Sequence, residues 1–285
     1  MRYEAPTTTK DAAALLAKEK GVACVLAGGT DLLVRMKTGL IDPALVVDIK
    51  HIPAMQTIKK SDSGFRIGAA VSGAQLGENK ALTKAWPGVV EATNLIGSDQ
   101  IQSRCTMVGN LCNASPAADS VPAMIAAGAK AVVVGKSKRR TIPVEEVVKG
   151  PGKTSLAKGE VIESIVLPKR PAKSGDAYLR FTPRTEMDIA VVSAGVNLTL
   201  ERGVIKKARV ALGAVAPTAI LVPAAAKAII GTRLDDEALE ALAAACSAAC
   251  KPIDDKRGTI EYRTRVAGVL AKRAAKIAFQ RAGGA

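Results

Sequence analysis

Two short glycine-containing stretches limit what this 285-residue chain can fold into more than any other feature of its sequence. The first is AGGTD at residues 27–31, and the second is SRCTMVGNLCNASPAADSVP at residues 103–122. Each combines small residues, a glycine turn and hydroxyl or amide side chains, followed by a helical pattern. Because a glycine turn entering a helix presents unpaired N–H groups and the positive end of the helix dipole, it can bind phosphate. Two such stretches indicate a ligand with two phosphates; the alternative is that both are turns serving only backbone geometry.

The first stretch lies within a predicted α/β unit. A helix capped by Thr9 precedes a buried strand at residues 22–26, and a helix from Asp31 to near Gly39 leads to a strand at residues 44–49. The glycine stretch therefore follows the carboxyl end of a strand, which is where open α/β sheets bind ligands.

The rest of the chain predicts antiparallel sheets with helices. Three apolar runs predict strands: one begins at Phe65, and the others lie at residues 130–135 and 161–167. Helices are predicted at residues 72–79, at residues 86–94 and after Pro116. Three long strands follow at residues 177–181, 189–201 and 204–215, with a tight hairpin at residues 201–204. The last third is helical at residues 223–230, 235–250 and 259–281. This order favours an α+β protein whose C-terminal sheet is covered by helices.

Composition and missing motifs exclude several function classes. The net charge of +15 raises nucleic acid as a partner, but 2% aromatic residues leave few side chains for base stacking. We interpret the charge as a docking surface for acidic proteins or anionic ligands.

The sequence has no G-x-G-x-x-G motif, and Val147 stands where a P-loop requires glycine. The only histidine, His51, belongs to no catalytic triad or metal-binding set, so we predict no catalytic residue and no metal site.

Five cysteines at irregular spacing argue against a disulfide framework, and the N-terminus has no apolar signal segment. Both features predict a cytoplasmic protein.

Cys105 and Cys112 flank the second stretch, where we expect them to be buried as small apolar residues, although they could approach a bound cofactor.

The two glycine stretches, together with FTPRTEMDIA at residues 181–190, resemble the flavin-binding medium subunit of the molybdenum hydroxylases. This family includes flavoprotein subunits of xanthine dehydrogenases and of aerobic carbon monoxide dehydrogenase. The resemblance implies an FAD-binding domain of the vanillyl-alcohol-oxidase type, with subdomains at residues 1–54 and 55–172. A C-terminal flavoprotein domain of antiparallel sheet and helices would occupy residues 173–285.

The resemblance also implies roles for individual residues. Asp119 would accept hydrogen bonds from cofactor hydroxyls, and Ile96 and Ile162 would pack on the isoalloxazine ring. Arg180 stands where many members carry a lysine near the flavin, and Val108 replaces a glycine of the second stretch. The expected pyrophosphate contacts are Ala27, Gly28, Gly29, Thr30, Asp31, Thr106, Gly109 and Asn110.

The implied function is electron transfer by FAD within a multi-subunit enzyme. Electrons would arrive from a small [2Fe–2S] subunit and leave to NAD, dioxygen or a quinone, while a large subunit with molybdopterin oxidises the substrate. Two alternatives remain open: a stand-alone flavin oxidase of the same fold, and a basic scaffold that has lost the cofactor.

Overall fold

The computed structural model describes residues 1–185 and 187–284, and it contains three main sheets that follow one another along the chain. Mixed helices and sheets confirm the predicted α+β class. The motif at residues 181–190 includes Glu186, which lies outside the described residues.

The first sheet is a small parallel sheet with the strand order β1-β3-β2. It confirms the predicted strand–loop–helix–strand unit, in which the glycine stretch joins β2 to α2. Thr8 rather than the predicted Thr9 caps α1, because its hydroxyl accepts a hydrogen bond from the N–H of Asp11. The elements are β1 (Arg2–Glu4), α1 (Thr9–Lys18), β2 (Ala23–Leu26), α2 (Leu32–Lys37) and β3 (Leu45–Asp48).

The second sheet has five strands paired antiparallel in the order β4-β5-β10-β6-β7. The strands β8 and β9 form a separate two-stranded antiparallel ribbon. The pairing of β10 with β6 shifts register between Ile162 and Ser164. The strands are β4 (Ile58–Ser61), β5 (Gly64–Gly68), β6 (Lys130–Val134), β7 (Arg139–Pro143), β8 (Val148–Gly150), β9 (Lys153–Thr154) and β10 (Val161–Pro168). The helices are α3 (Gly73–Glu78), α4 (Lys80–Ala85), α5 (Pro87–Thr93), α6 (Asp99–Gln102), α7 (Met107–Cys112) and α8 (Ser120–Ala126).

The third sheet is antiparallel in the order β11-β12-β13-β14, as the C-terminal pattern predicts. Arg202 and Gly203 both have positive φ, 53° and 79°, which is the conformation of a tight two-residue hairpin turn. The elements are β11 (Ser174–Phe181), β12 (Val192–Glu201), β13 (Val204–Gly213), β14 (Ile220–Leu221), α9 (Pro223–Ile229), α10 (Asp236–Ala248) and α11 (Ile260–Arg281).

Two cores built mostly of aliphatic side chains stabilise the fold. One lies under the first two sheets, and the other is packed between the third sheet and the alanine-rich faces of α10 and α11. Tyr178 and Ala211 of the third sheet belong to the first core, so the third sheet packs directly on the preceding part of the chain. The domain bounds given above stay predictions.

The long C-terminal helix approaches β11 closely. A Cβ added at Gly175 would lie 1.8 Å from the main-chain oxygen of Ala278 in α11.

None of the helices within residues 1–185 and 187–284 combines the length and the apolar character needed to cross a membrane.

We expect Gly175→Ala to lower the free energy of unfolding by about 3 kcal/mol, because the new methyl overlaps main-chain atoms that cannot rotate away. Urea unfolding followed by circular dichroism measures the change. Gly150→Ala is the control, since a Cβ there meets no atom within 4 Å. Equal stability of the two variants would contradict the proposed tight packing of α11 on β11.

Candidate functional site

The two glycine stretches meet in the folded chain. A Cβ added at Gly28 would lie 2.0 Å from the carbonyl oxygen of Arg104, so only glycine permits this approach. The side-chain amide of Asn113 also donates a hydrogen bond to Asp31, with Nδ2 and Oδ1 3.1 Å apart. Segments that are about 80 residues apart in sequence therefore form one site.

The second stretch is helical where the sequence predicts a glycine turn, so that prediction is wrong. Thr106 caps α7, because its hydroxyl accepts the N–H of Gly109 at 2.8 Å. Val108 lies in the first turn of this helix, where valine adopts the required negative φ without strain. The departure from the family pattern at Val108 is therefore compatible with the backbone of the site.

A pocket of about 360 Å³ lies between the two stretches and is closed by residues that precede and begin β10. It brings together eleven of the thirteen predicted site residues. These are Ala27, Gly28, Gly29, Thr30, Asp31, Ile96, Thr106, Val108, Gly109, Asn110 and Ile162.

Sequence reasoning missed other residues of the pocket wall. Asn113 lies one helical turn after Asn110, a spacing that could have indicated it from sequence. Cys24, Leu32 and Arg35 belong to the predicted α/β unit, but nothing in the local sequence shows that they face a pocket. No local sequence pattern indicates three further lining residues. These are Thr154 in β9, and Leu156 and Glu160 in the segment before β10.

The carboxylate of Glu160 in the pocket wall is offset by a specific contact. Glu160 pairs with the guanidinium of Arg140 through two bonds of 2.7 and 2.9 Å, and this pairing lowers the pKa of Glu160. Because Arg140 offsets this carboxylate, Glu160 repels an anion less than a free acid would. Arg35 supplies a positive charge within the lining itself.

Asp119 and Arg180 are not part of the pocket lining. They form a buried ion pair in which Nη1 of Arg180 lies 2.8 Å from Oδ2 of Asp119. The hydroxyl of Tyr178 donates to the other carboxylate oxygen at 3.0 Å. Burial raises the pKa of Asp119, while Arg180 and Tyr178 act in the opposite direction. Both carboxylate oxygens thus already have protein partners, and the charge of Arg180 is offset.

The lining residues fit a dinucleotide with a diphosphate group. Gly28 and Gly29 present only main-chain atoms to the pocket, the hydroxyl of Thr30 and the Nδ2 of Asn110 can donate hydrogen bonds, and Arg35 adds positive charge. Apolar walls from Ile96, Val108 and Ile162 suit a flat ring.

Comparison with protein-family models gives two matches that together span most of the chain. Residues 1–170 match the FAD binding domain in molybdopterin dehydrogenase, and residues 177–278 match the CO dehydrogenase flavoprotein C-terminal domain. The chain belongs to the FAD-binding medium subunits of the molybdenum hydroxylases. Members of this family are subunits of oxidoreductases, so the resemblance drawn from the sequence is confirmed.

Individual relatives are similar over nearly their whole length. The carbon monoxide dehydrogenase medium chain of Afipia carboxidovorans is 34% identical, covering 98% of this chain and 97% of the relative. The xanthine dehydrogenase FAD-binding subunit of Escherichia coli O157:H7 is 29% identical, and the match covers 99% of this chain and 97% of the relative. The structure of reconstituted CO dehydrogenase from Oligotropha carboxidovorans superposes with a TM-score of 0.94 at 33% identity. The superposition covers 99% of this chain and 98% of the chain in that structure.

In this medium subunit we expect Gly28→Ala to reduce FAD content to less than about a tenth of the wild-type value, because the methyl forces the two stretches apart. The absorption spectrum of the flavin that is released by denaturation measures the FAD content. Gly73→Ala is the matched control. Its Cβ would meet Gln102 and Cys105, in the same segment, only at ordinary contact distances of 3.4 Å or more. Normal FAD content in Gly28→Ala would show that the contact is dispensable.

The thiols of Cys105 and Cys112, which line the pocket, should react slowly at neutral pH. Burial raises the pKa of Cys105 to about 11 and that of Cys112 to about 12, so both remain protonated and weakly nucleophilic. We expect iodoacetamide to modify them in the folded chain at least roughly tenfold more slowly than in urea. The rate should still be rising at pH 10, because the thiolate fraction increases up to the pKa. Peptide mass spectrometry reads out each cysteine, and fast labelling at pH 7.5 would contradict the expected burial.

Proposed function

We propose that this chain holds FAD in the pocket between the two glycine stretches and acts as the electron-transfer subunit of a multi-subunit molybdenum hydroxylase. It would accept electrons from a [2Fe–2S] partner and pass them to NAD, dioxygen or a quinone. Substrate oxidation would occur on a separate subunit with molybdopterin. We also propose the three domain bounds given above and a cytoplasmic location.

One observation carries the assignment of the cofactor to this pocket. Eleven residues from four separate parts of the sequence, chosen for their match to family positions, line a single pocket. The pocket places the main chain of Gly28 and Gly29, together with Asn110, Ile96 and Ile162, around one cavity, which supports a ligand that has a diphosphate and a flat ring. The family match to an FAD-binding domain supports the same assignment.

The residues of this chain would bind and orient the cofactor. Backbone groups at Gly28, Gly29 and Gly109 would approach the diphosphate, with Thr30 and Asn110 as side-chain donors. Ile96 and Ile162 would exclude water from the ring. A bound flavin can accept electrons one at a time and release them as a pair, which links an iron–sulfur donor to a two-electron acceptor.

The partners are proposed from the relatives and from the charge of the chain. The relatives are described as medium chains or FAD-binding subunits, so each is one component of a larger enzyme. The net charge of +15 would favour docking of acidic subunits. A stand-alone flavin oxidase of the same fold is the second candidate, and a scaffold without cofactor is the third.

The test is purification of the chain from its native source through an affinity tag, in complex with whatever subunits accompany it. We expect about one FAD per chain, with iron and molybdenum in co-purifying subunits. Flavin absorbance after denaturation and metal analysis by mass spectrometry give the three contents.

Each alternative gives a different result in this experiment. FAD without iron or molybdenum, together with turnover of an organic donor by the isolated chain, would favour the stand-alone oxidase. A complex that contains neither bound FAD nor the capacity to take it up would favour the scaffold.

A further inference from the structure

The orientation of the Asn110 side chain is set by a contact outside the pocket. Its Oδ1 accepts two hydrogen bonds from Ser120, one from the main-chain N–H at 3.1 Å and one from the hydroxyl at 2.7 Å. A hydroxyl can donate or accept, but a main-chain N–H can only donate. The atom that faces Ser120 must therefore be the oxygen, and the amide cannot be flipped without losing the N–H bond.

This orientation leaves the nitrogen of the Asn110 amide for the pocket. Asn110 lines the pocket, and within residues 1–185 and 187–284 its Nδ2 has no hydrogen-bond acceptor. The neighbouring amide of Asn113 is used differently, because its Nδ2 donates to Asp31. Of these two amides, Asn110 within α7 is the one that offers its donor to a ligand, whereas Asn113, which directly follows the helix, does not.

Ser120 is held in place by the third sheet. It is fully buried at the start of α8, and Asp119 beside it is bonded to Tyr178 and Arg180 of β11. A Cβ added at Gly195 of β12 would lie 2.8 Å from the main-chain oxygen of Pro122, so α8 lies directly against this sheet. The position of the Ser120 donors is therefore determined by packing and not by the ligand.

We propose that Ser120 is a positioning residue for the cofactor, which aligns the Asn110 amide so that it presents only hydrogen-bond donors to an anionic group of FAD. The inference rests on the proposed function and extends it to a residue outside the pocket. A donor-only amide selects acceptor atoms such as phosphate oxygens, whereas a freely flipping amide would also present its carbonyl oxygen to them.

The first measurement is the affinity of the deflavinated complex for FAD, followed by quenching of flavin fluorescence. We expect Ser120→Ala to weaken binding about three- to tenfold, since one of the two bonds that hold the amide is lost. Ser164→Ala is the matched control: this serine is also fully buried and accepts a bond from Arg66 at 2.8 Å, but it does not line the pocket. Unchanged affinity in Ser120→Ala would overturn the proposal.

A double-mutant cycle separates positioning from a purely structural role. We expect Asn110→Ala to weaken FAD binding by about tenfold or more, and adding Ser120→Ala to it should cause no further loss of affinity. A structural role predicts the same fold loss from Ser120→Ala in both backgrounds, and that result would overturn the proposal. Thermal unfolding of each deflavinated variant shows that the affinities refer to folded protein.

Asn110→Asp tests the donor character directly. The aspartate can still accept both Ser120 bonds, but it presents a negatively charged oxygen where the amide presents N–H groups. We expect its affinity for FAD to fall by at least about a hundredfold. Wild-type affinity in Asn110→Asp would overturn the proposal. Failure of the wild-type complex itself to bind FAD would instead refute the proposed function, so the two failures are distinguishable.

Discussion

The close contact between Gly28 and the main chain of Arg104 is the constraint on which the site depends. It brings the end of β2, in the small parallel sheet, against the segment that enters α7, in the second part of the fold. A side chain at Gly28 would fill this space, and the hydrogen bond between Asn113 and Asp31 would lose its geometry. Because the pocket lies between these two segments, its shape follows from the absence of a single Cβ.

A second set of contacts connects the pocket with the third sheet. Asn110 is bonded to Ser120, and the adjacent Asp119 is bonded to Tyr178 and Arg180. A buried ion pair of this kind contributes little net stability, since desolvation offsets its attraction, but it restricts where α8 can begin. Asp119 and Arg180, which the family resemblance places near the cofactor, are thus bonded to each other, and Asp119 directly precedes the serine that holds the oxygen of Asn110.

The sequence allowed most of the fold to be predicted because its patterns are local. Strands of eight to ten residues in the third sheet, and the 22-residue α11, carry clear periodicity and turn signals. The helix α7 was missed because Gly109 and Asn110 are poor helix formers, and the cap at Thr106 outweighs their propensity. Glu160 and Thr154 were missed because only the folding of a distant segment brings them to the pocket wall.

The sequence by itself determined the class of the fold, because helix caps, hairpin turns and apolar periodicity act over a few residues. Its resemblance to a known family indicated the family and eleven residues that line the pocket. Only the tertiary structure decided which atoms of those residues are available. It placed the oxygen of Asn110 on Ser120 and both oxygens of Asp119 on Tyr178 and Arg180. The physical reason is that a polar group can satisfy only a few hydrogen bonds, and its partners come from segments whose proximity no local pattern encodes.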